Sequence, residues 1–336
     1  MCYEDHMMAR VLFLFVDGVG LGSDSPEVNP FVLANMPTLR ALLGGKPLTA
    51  SAAPYKGESA TLLSVDASMG VSGTPQSATG QASLLTGQNV PAKIGKHYGP
   101  KPNPEIAQII KSSNIFMQIR DRKGRAALLN AYPPQYFQSI NSGRRIYSAI
   151  PLAARSAGID LMTARDLQAG GAFSVDFTGE GWAAQPEFPP APVYSPHQAG
   201  MRLADVSKDY DLTWFDYWIS DYAGHKREMD RAVELLDSFD EVLDGLVEAW
   251  QSRDDLFVLT SDHGNLEDLT RRGHTQNRVP ALLLGPADLR RSFTQGLEDL
   301  TGFAPAVLRT IFPSELSAEA TGSDEGTELE SKDHHG

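Results

Sequence analysis

The chain has 336 residues, enough for one large or two medium cores, and its 41% hydrophobic and 21% charged residues are a globular balance. Its 42 Asp and Glu against 29 Lys and Arg leave a net charge of −13, which argues against a nucleic-acid partner, since binding a phosphate backbone needs a basic face. A single cysteine, Cys2, excludes an internal disulfide, and no apolar run reaches the ~18–20 residues of a membrane span, so the expected location is cytoplasmic.

The opening MCYEDHMMAR is acidic where a signal peptide is basic, and Met7 or Met8 is a candidate start. RVLFLFV, residues 10–16, is wholly apolar and predicts a buried central strand of a parallel sheet. It runs into DGVGLG, where the glycines allow a tight turn after Asp17. MPTLRALLGG predicts a short helix with a glycine stop, and TGQASLLTGQN another helix. A helix over 103–119 and a strand at RAALLNAYP follow.

Residues 136–199, rich in Gly, Pro and aromatics, read as an inserted cap or elaborated loops between two parts of one core, 1–135 and 200–315. LTWFDYWIS predicts a strand ending at Asp221. Over 225–250, Met229, Val233, Leu236, Phe239, Leu243, Leu246 and Trp250 recur every three or four residues, the spacing of an amphipathic helix. LFVLT and VPALLLG are further strands, so strand–helix alternation predicts an α/β three-layer sandwich around a mainly parallel sheet. Residues 316–336 are polar and acidic and are expected to be a disordered tail, with His334 and His335 solvated in it.

Four stretches put metal-type ligands at predicted strand ends: VDGVG (Asp17), SDYAGH (Asp221, His225), SDHGN (Asp262, His263) and GHTQ (His274). Open α/β sheets bind ligands in the crevice at the carboxyl ends of their strands. Each piece alone is ordinary: an Asp after a strand is often a helix cap, and a lone His is often surface. Together they bring carboxylates that would repel one another without a cation, and Asp and neutral His are standard ligands for zinc or manganese. A local metal also lets an acidic protein accept an anionic small substrate.

VDGVG, DYAGH, TSDHGN and GHTQNRVPALLLG, in this order, resemble the alkaline phosphatase superfamily. The likeness is to its metalloenzyme branch, which holds cofactor-independent phosphoglycerate mutases and phosphopentomutases. It covers roughly residues 10–90 and 213–286 and implies two adjacent divalent ions, Mn2+ or Zn2+. Asp17, Asp262 and His263 would hold one, with the nucleophile oxygen as a further ligand; Asp221, His225 and His274 would hold the other.

The family sets a Ser or Thr nucleophile at a helix start between the first and second metal motifs. In TPQSATGQASLLTG the candidates are Thr74, Ser77 and Thr79. The mutase pattern, a hydroxyl residue, two variable residues and Gly-His, fits Ser77 with Gly80, and Thr79 is the runner-up. Gln81 stands where the mutases carry His. Sulfatase relatives need C-x-P-x-R, but Thr79 and Gln81 occupy the Pro and Arg places.

The basic groups expected to meet a phosphorylated substrate, besides Gln81, are Lys93, Lys96, His97, Arg144 and Arg145. The function implied is two-metal phosphoryl transfer on a small phosphomonoester through a phosphoserine, as phosphatase or phosphomutase. The rivals are a phosphodiesterase or phosphonate hydrolase on the same core and a non-catalytic metal-binding protein.

Overall fold

A computed structural model of the chain describes residues 9–250 and 253–313. Cys2, Met7, Met8 and the tail expected over 316–336, with its His334 and His335, lie outside the described residues.

In chain order the strands are β1 (Val11–Val16), β2 (Tyr55–Lys56), β3 (Ala60–Val65), β4 (Ala126–Leu128), β5 (Ala131–Tyr132), β6 (Met162–Thr163), β7 (Leu212–Tyr217), β8 (Leu256–Thr260) and β9 (Val279–Leu284). β5 and β6 form a separate two-stranded pair, and the others make one sheet ordered β2-β3-β9-β8-β1-β7-β4. β4, β7, β1 and β8 run parallel, and β9, β3 and β2 join in antiparallel succession. Phe15 of β1 lies level with Asp216 of β7 and Thr260 of β8, so these strands end together.

β1 explains the three layers. Val11, Phe13 and Phe15 enter one core, while Leu12, Leu14 and Val16 enter the other. Both sheet faces are therefore covered, and each fully buried Phe or Leu contributes about 1.5–3 kcal/mol. The first face takes the helices Ser77–Thr86, Pro104–Ser112, Ile115–Asp121, Ala149–Ser156 and Phe303–Ile311; the second takes Pro37–Leu42, Pro196–Val206 and Met229–Trp250. Gly200 and Gly245 let the last two helices cross with backbones in contact, since a Cβ on either would run into a carbonyl of the other helix.

Several expected elements shift. The helix expected over 103–119 breaks at Ser113 and Asn114, where the Asn114 side chain caps the second piece by accepting from the Met117 amide. The strand expected to reach Asp221 stops at Tyr217, and Ile219–Lys226 is a separate helix closed by Arg227 in the left-handed region, φ 56°. The long amphipathic helix consequently starts at Met229 rather than 225. Within 136–199, read as an inserted cap, Ala149–Ser156 packs into the first core and Phe173 and Phe177 into the second. That stretch shares both cores with the sheet. Among the described residues no helix is long and apolar enough to cross a membrane.

Candidate metal centre

The ligand-type residues gather at one edge because β1, β7 and β8 end there. Asp17 follows β1, its amide held by the Tyr217 carbonyl at 3.2 Å and its carbonyl by the Ser220 hydroxyl at 2.6 Å. Asp262 and His263 follow β8, both with no exposed surface. Asp221 and His225 stand one turn apart on the helix Ile219–Lys226 and so share a face. His274 comes from the loop between β8 and β9.

Two groups of ligand atoms form, each within 4.8 Å: Asp17, Asp262 and His263, and Asp221, His263 and His274. The first group is the set expected from sequence. In the second, His263 stands where His225 was expected, while His225 Nε2 lies 3.2 Å from Asp221 Oδ2. His263 is the hinge of both: its Nε2 is 3.3 Å from Asp17 Oδ1 and 3.6 Å from Asp262 Oδ1, and its ring stacks on His274 at 3.7 Å.

Ser77 is the first residue of its helix, after Gln76 as the N-cap, and its Oγ lies 3.0 Å from His263 Nε2. The hydroxyl therefore points into the site and does not cap the helix. Gly80 makes this approach possible, since a Cβ there would stand 2.8 Å from the Asp262 carbonyl oxygen. Thr79 is differently engaged. It is fully buried, its hydroxyl lies 3.0 Å from the Gln76 carbonyl and 3.3 Å from that of Tyr98, and it accepts from the Tyr98 amide at 3.1 Å.

The donor chemistry fits divalent cations. Neither Asp262 oxygen has a hydrogen-bond donor, and Asp17 Oδ1 has none either, although all are buried. An unpaired buried carboxylate is costly. Burial, then the Asp17 charge, pushes the Asp262 pKa well above the carboxylate range, and burial also raises that of Asp17. Burial opposes charge on His263, yet Asp262, Asp17 and Asp221 outweigh it and lift its pKa to about 10. Burial, then the charge on His263, takes His274 down to about 4. Burial would raise Asp221, but the His225 hydrogen bond and the charge on His263 hold it at about 2. The raised values of Asp17, Asp262 and His263 express a shortage of positive charge among converging oxygens, which bound cations would supply.

Outer contacts aim the ligands. His274 Nδ1 faces the Pro75 carbonyl at 3.0 Å, leaving Nε2 for the site. Asn265 donates to Asp221 Oδ1 at 2.7 Å, and Gln81 donates to Asp17 Oδ2 at 3.3 Å. Glu267, fully buried, accepts from the amides of Gly20 at 2.9 Å and Asn265 at 2.8 Å, from the Thr275 hydroxyl, and from Asn277 Nδ2 at 3.0 Å. One carboxylate thus fastens the three loops that carry Asp17, Asp262 with His263, and His274.

The basic residues expected at the substrate do not reach these groups. Lys93 bonds Gln88, Lys96 sits over the Tyr98 ring, His97 meets the Val71 carbonyl, Arg144 donates to Ser142, and Arg145 lies over Tyr136. Sequence reasoning passed over Glu267, Asn265 and Asp216. Asp216 is buried in β7, with Oδ1 unpartnered and its pKa raised well above normal by burial and then by Asp17. An acid inside a fully buried, mostly apolar strand was the available signal.

A family model described as the Metalloenzyme superfamily matches residues 197–311. The 2,3-bisphosphoglycerate-independent phosphoglycerate mutase of Thiobacillus denitrificans is 32% identical over 130 residues, 36% of this chain and 25% of that protein. The enzyme of the same name from Moorella thermoacetica is 28% identical over 205 residues, 57% of this chain and 39% of that protein. The chain thus spans less than half the length of these relatives. Among solved structures, the PH0037 protein from Pyrococcus horikoshii has a TM-score of 0.54 at 15% identity, over 91% of this chain and 98% of that one. A cold-active alkaline phosphatase from Shewanella sp. has 0.53 at 12%, over 90% and 99%. The fold of this chain is alkaline phosphatase-like, and residues 197–311 are similar to the Metalloenzyme superfamily.

Proposed function

We propose that this chain is a two-metal-dependent phosphoryl-transfer enzyme that acts on a small phosphomonoester through a phosphoserine at Ser77, with water or a second substrate hydroxyl as final acceptor. The observation that carries this reading is the Ser77 hydroxyl, set 3.0 Å from His263 Nε2 at a helix start and free of any capping role. Thr79, tied to Tyr98, is positional.

Asp17, Asp262 and His263 would hold one divalent ion and Asp221, His225 and His274 the other. Bound there, Mn2+ or Zn2+ would neutralise charge on the phosphoryl oxygens and favour loss of the serine proton. The chain's own part is orientation. Gly80 lets Ser77 approach, and the helix N-terminus favours the incoming anion. Ser77 Oγ bonds to phosphorus as its proton leaves, the ester P–O bond breaks, and the alcohol departs protonated. Attack by water on phosphoserine then gives inorganic phosphate; attack by a substrate hydroxyl gives an isomeric phosphate ester. In both cases Ser77 recovers its hydroxyl.

The test is turnover of p-nitrophenyl phosphate by manganese- or zinc-loaded protein, with mass spectrometry of the trapped enzyme. Phosphate on the peptide containing Ser77, and its loss in Ser77→Ala, is the expected result. Full turnover by Ser77→Ala, or protein that binds no metal, would overturn it, and a preference for bis(p-nitrophenyl) phosphate would point to diester chemistry instead.

A further inference from the structure

The ligand groups of the metal centre differ in how much water they meet. The side chains of Asp262 and His263 have no exposed surface, whereas that of Asp221 keeps 18% and that of His225 46%. The centre is therefore closed around Asp262 and His263 and opens toward the helix Ile219–Lys226. An organic group attached to a phosphate held near Ser77 has this side as its way out.

That helix divides cleanly along its length. Ile219 and Ala223 pack against the second core, and Ser220 and Gly224 are buried. Trp218, Asp221, Tyr222 and His225 follow the i, i+3, i+4, i+7 spacing and so share the opposite side. Trp218, just before the helix, already has helical backbone angles, φ −77° and ψ −11°. The two ligand-type residues thus lie in one stripe with two aromatic rings. Both rings are exposed, Trp218 at 47% and Tyr222 at 57%, and among the described residues they are the only aromatics of the exposed large hydrophobic side chains. No other aromatic ring of the described residues packs on either, while Lys226 Nζ lies 5.0 Å from the centre of the Tyr222 ring. Single exposed apolar residues are ordinary, but two large rings one turn apart at the open side of a metal centre are not. A flat ring laid on them would bury apolar surface on both partners and stack on π faces now turned to water.

We propose that Trp218 and Tyr222 form a platform that stacks a planar aromatic group carried by the substrate. The ligand class is a phosphomonoester whose organic part bears an aryl ring or a nucleobase. This rests on the phosphoryl-transfer reading, because Ser77 fixes where the phosphate sits and His225 marks the side on which the rest of the molecule emerges.

The experiment uses the full-length, manganese-loaded protein and pairs of probes with matched leaving alcohols: benzyl against cyclohexylmethyl phosphate, and adenosine 5′-phosphate against methyl riboside 5-phosphate. The planar member of each pair is expected to be favoured by roughly tenfold or more in kcat/KM, chiefly through KM. Trp218→Ala with Tyr222→Ala should bring both ratios close to one, and Trp218→Phe with Tyr222→Phe should keep much of the preference. Both side chains are exposed, so neither change opens a cavity in the core.

A second arm needs no turnover. Trp182, Trp214 and Trp250 are buried, so Trp218 is the tryptophan whose fluorescence acrylamide quenches. On metal-loaded Ser77→Ala, saturating benzyl phosphate or adenosine 5′-phosphate should shield Trp218 from acrylamide, and the two non-planar counterparts should not; Trp218→Phe supplies the baseline. Equal kcat/KM within both pairs, a preference that survives the double alanine substitution, or quenching indifferent to the planar group would overturn the platform. So would shielding of Trp218 by phosphatidylcholine vesicles or by raised protein concentration alone, which would assign this face to a membrane or to a second copy of the chain. If no variant turns over substrate, the transfer reading fails, and the shielding of Trp218 still decides the platform.

Discussion

Asp262 has two buried oxygens and no hydrogen bond to either, an arrangement that a bound cation would stabilise. Asp262→Asn should therefore raise the melting temperature of chelator-treated protein by the equivalent of roughly 1–3 kcal/mol while removing the extra stability gained on adding manganese. Calorimetry with and without metal checks both, and a lower melting temperature in chelator would refute the argument. Glu267→Gln keeps the size of the side chain and removes the charge that gathers three loops. It should weaken metal binding by about 10–100-fold, as loss of an outer-shell partner does. The amides of Gly20 and Asn265, both bonded to Glu267, should then exchange hydrogen faster. The gathering of Asp17, Asp221, Asp262, His263 and His274 was legible in the sequence because Asp-His-Gly and its companion motifs stand at strand ends. Asp216 and Glu267 were not, since a single acid in a strand or turn has many ordinary uses and only tertiary placement shows which one applies.

At the level of elements, the apolar runs were read correctly as strands, β1 as a central one and β8 and β9 as further strands, because burial on both faces leaves few polar positions. β2 and β3 escaped, their short polar-flanked pieces lacking a periodic signal. The boundary at Asp221 was misplaced because WFDYWIS is as apolar in a strand as in a helix. The change from one to the other is set by the Ser220 hydroxyl, which bonds the Asp17 and Tyr217 carbonyls. That shift has chemical meaning: in a strand Asp221 and His225 would share a face but stand about 13 Å apart, whereas one helical turn brings their side chains together, 3.2 Å between His225 Nε2 and Asp221 Oδ2. The helix pair Pro196–Val206 and Met229–Trp250 depends on Gly200 and Gly245. Gly245→Ala, favourable by helix propensity alone, should instead cost about 1–3 kcal/mol by overpacking, read as a fall in chemical-denaturation midpoint with little change in slope. An unchanged or higher midpoint would show that the helices can part cheaply.

Across the whole molecule, the donor atoms come from segments distant in sequence, and bound cations would hold them together. Chelation should lower the melting temperature, and restoring metal to about 100 times its dissociation constant should return roughly 2.7 kcal/mol. A melting temperature indifferent to chelator would mean that the ligand loops are held without ions. The placement of β1 has a further consequence for how the chain is made. It precedes every other strand of the sheet yet lies in its middle, between β7 and β8, whose residues follow some two hundred positions later. As the chain leaves the ribosome, an apolar strand waits without its first neighbour until β7 is available and without its second until the sequence beyond Leu256 follows, and contacts of this range form slowly. A nascent chain arrested before β8 should therefore remain protease-sensitive and bound by chaperones, becoming resistant only once Asp262 and His263 have cleared the exit tunnel.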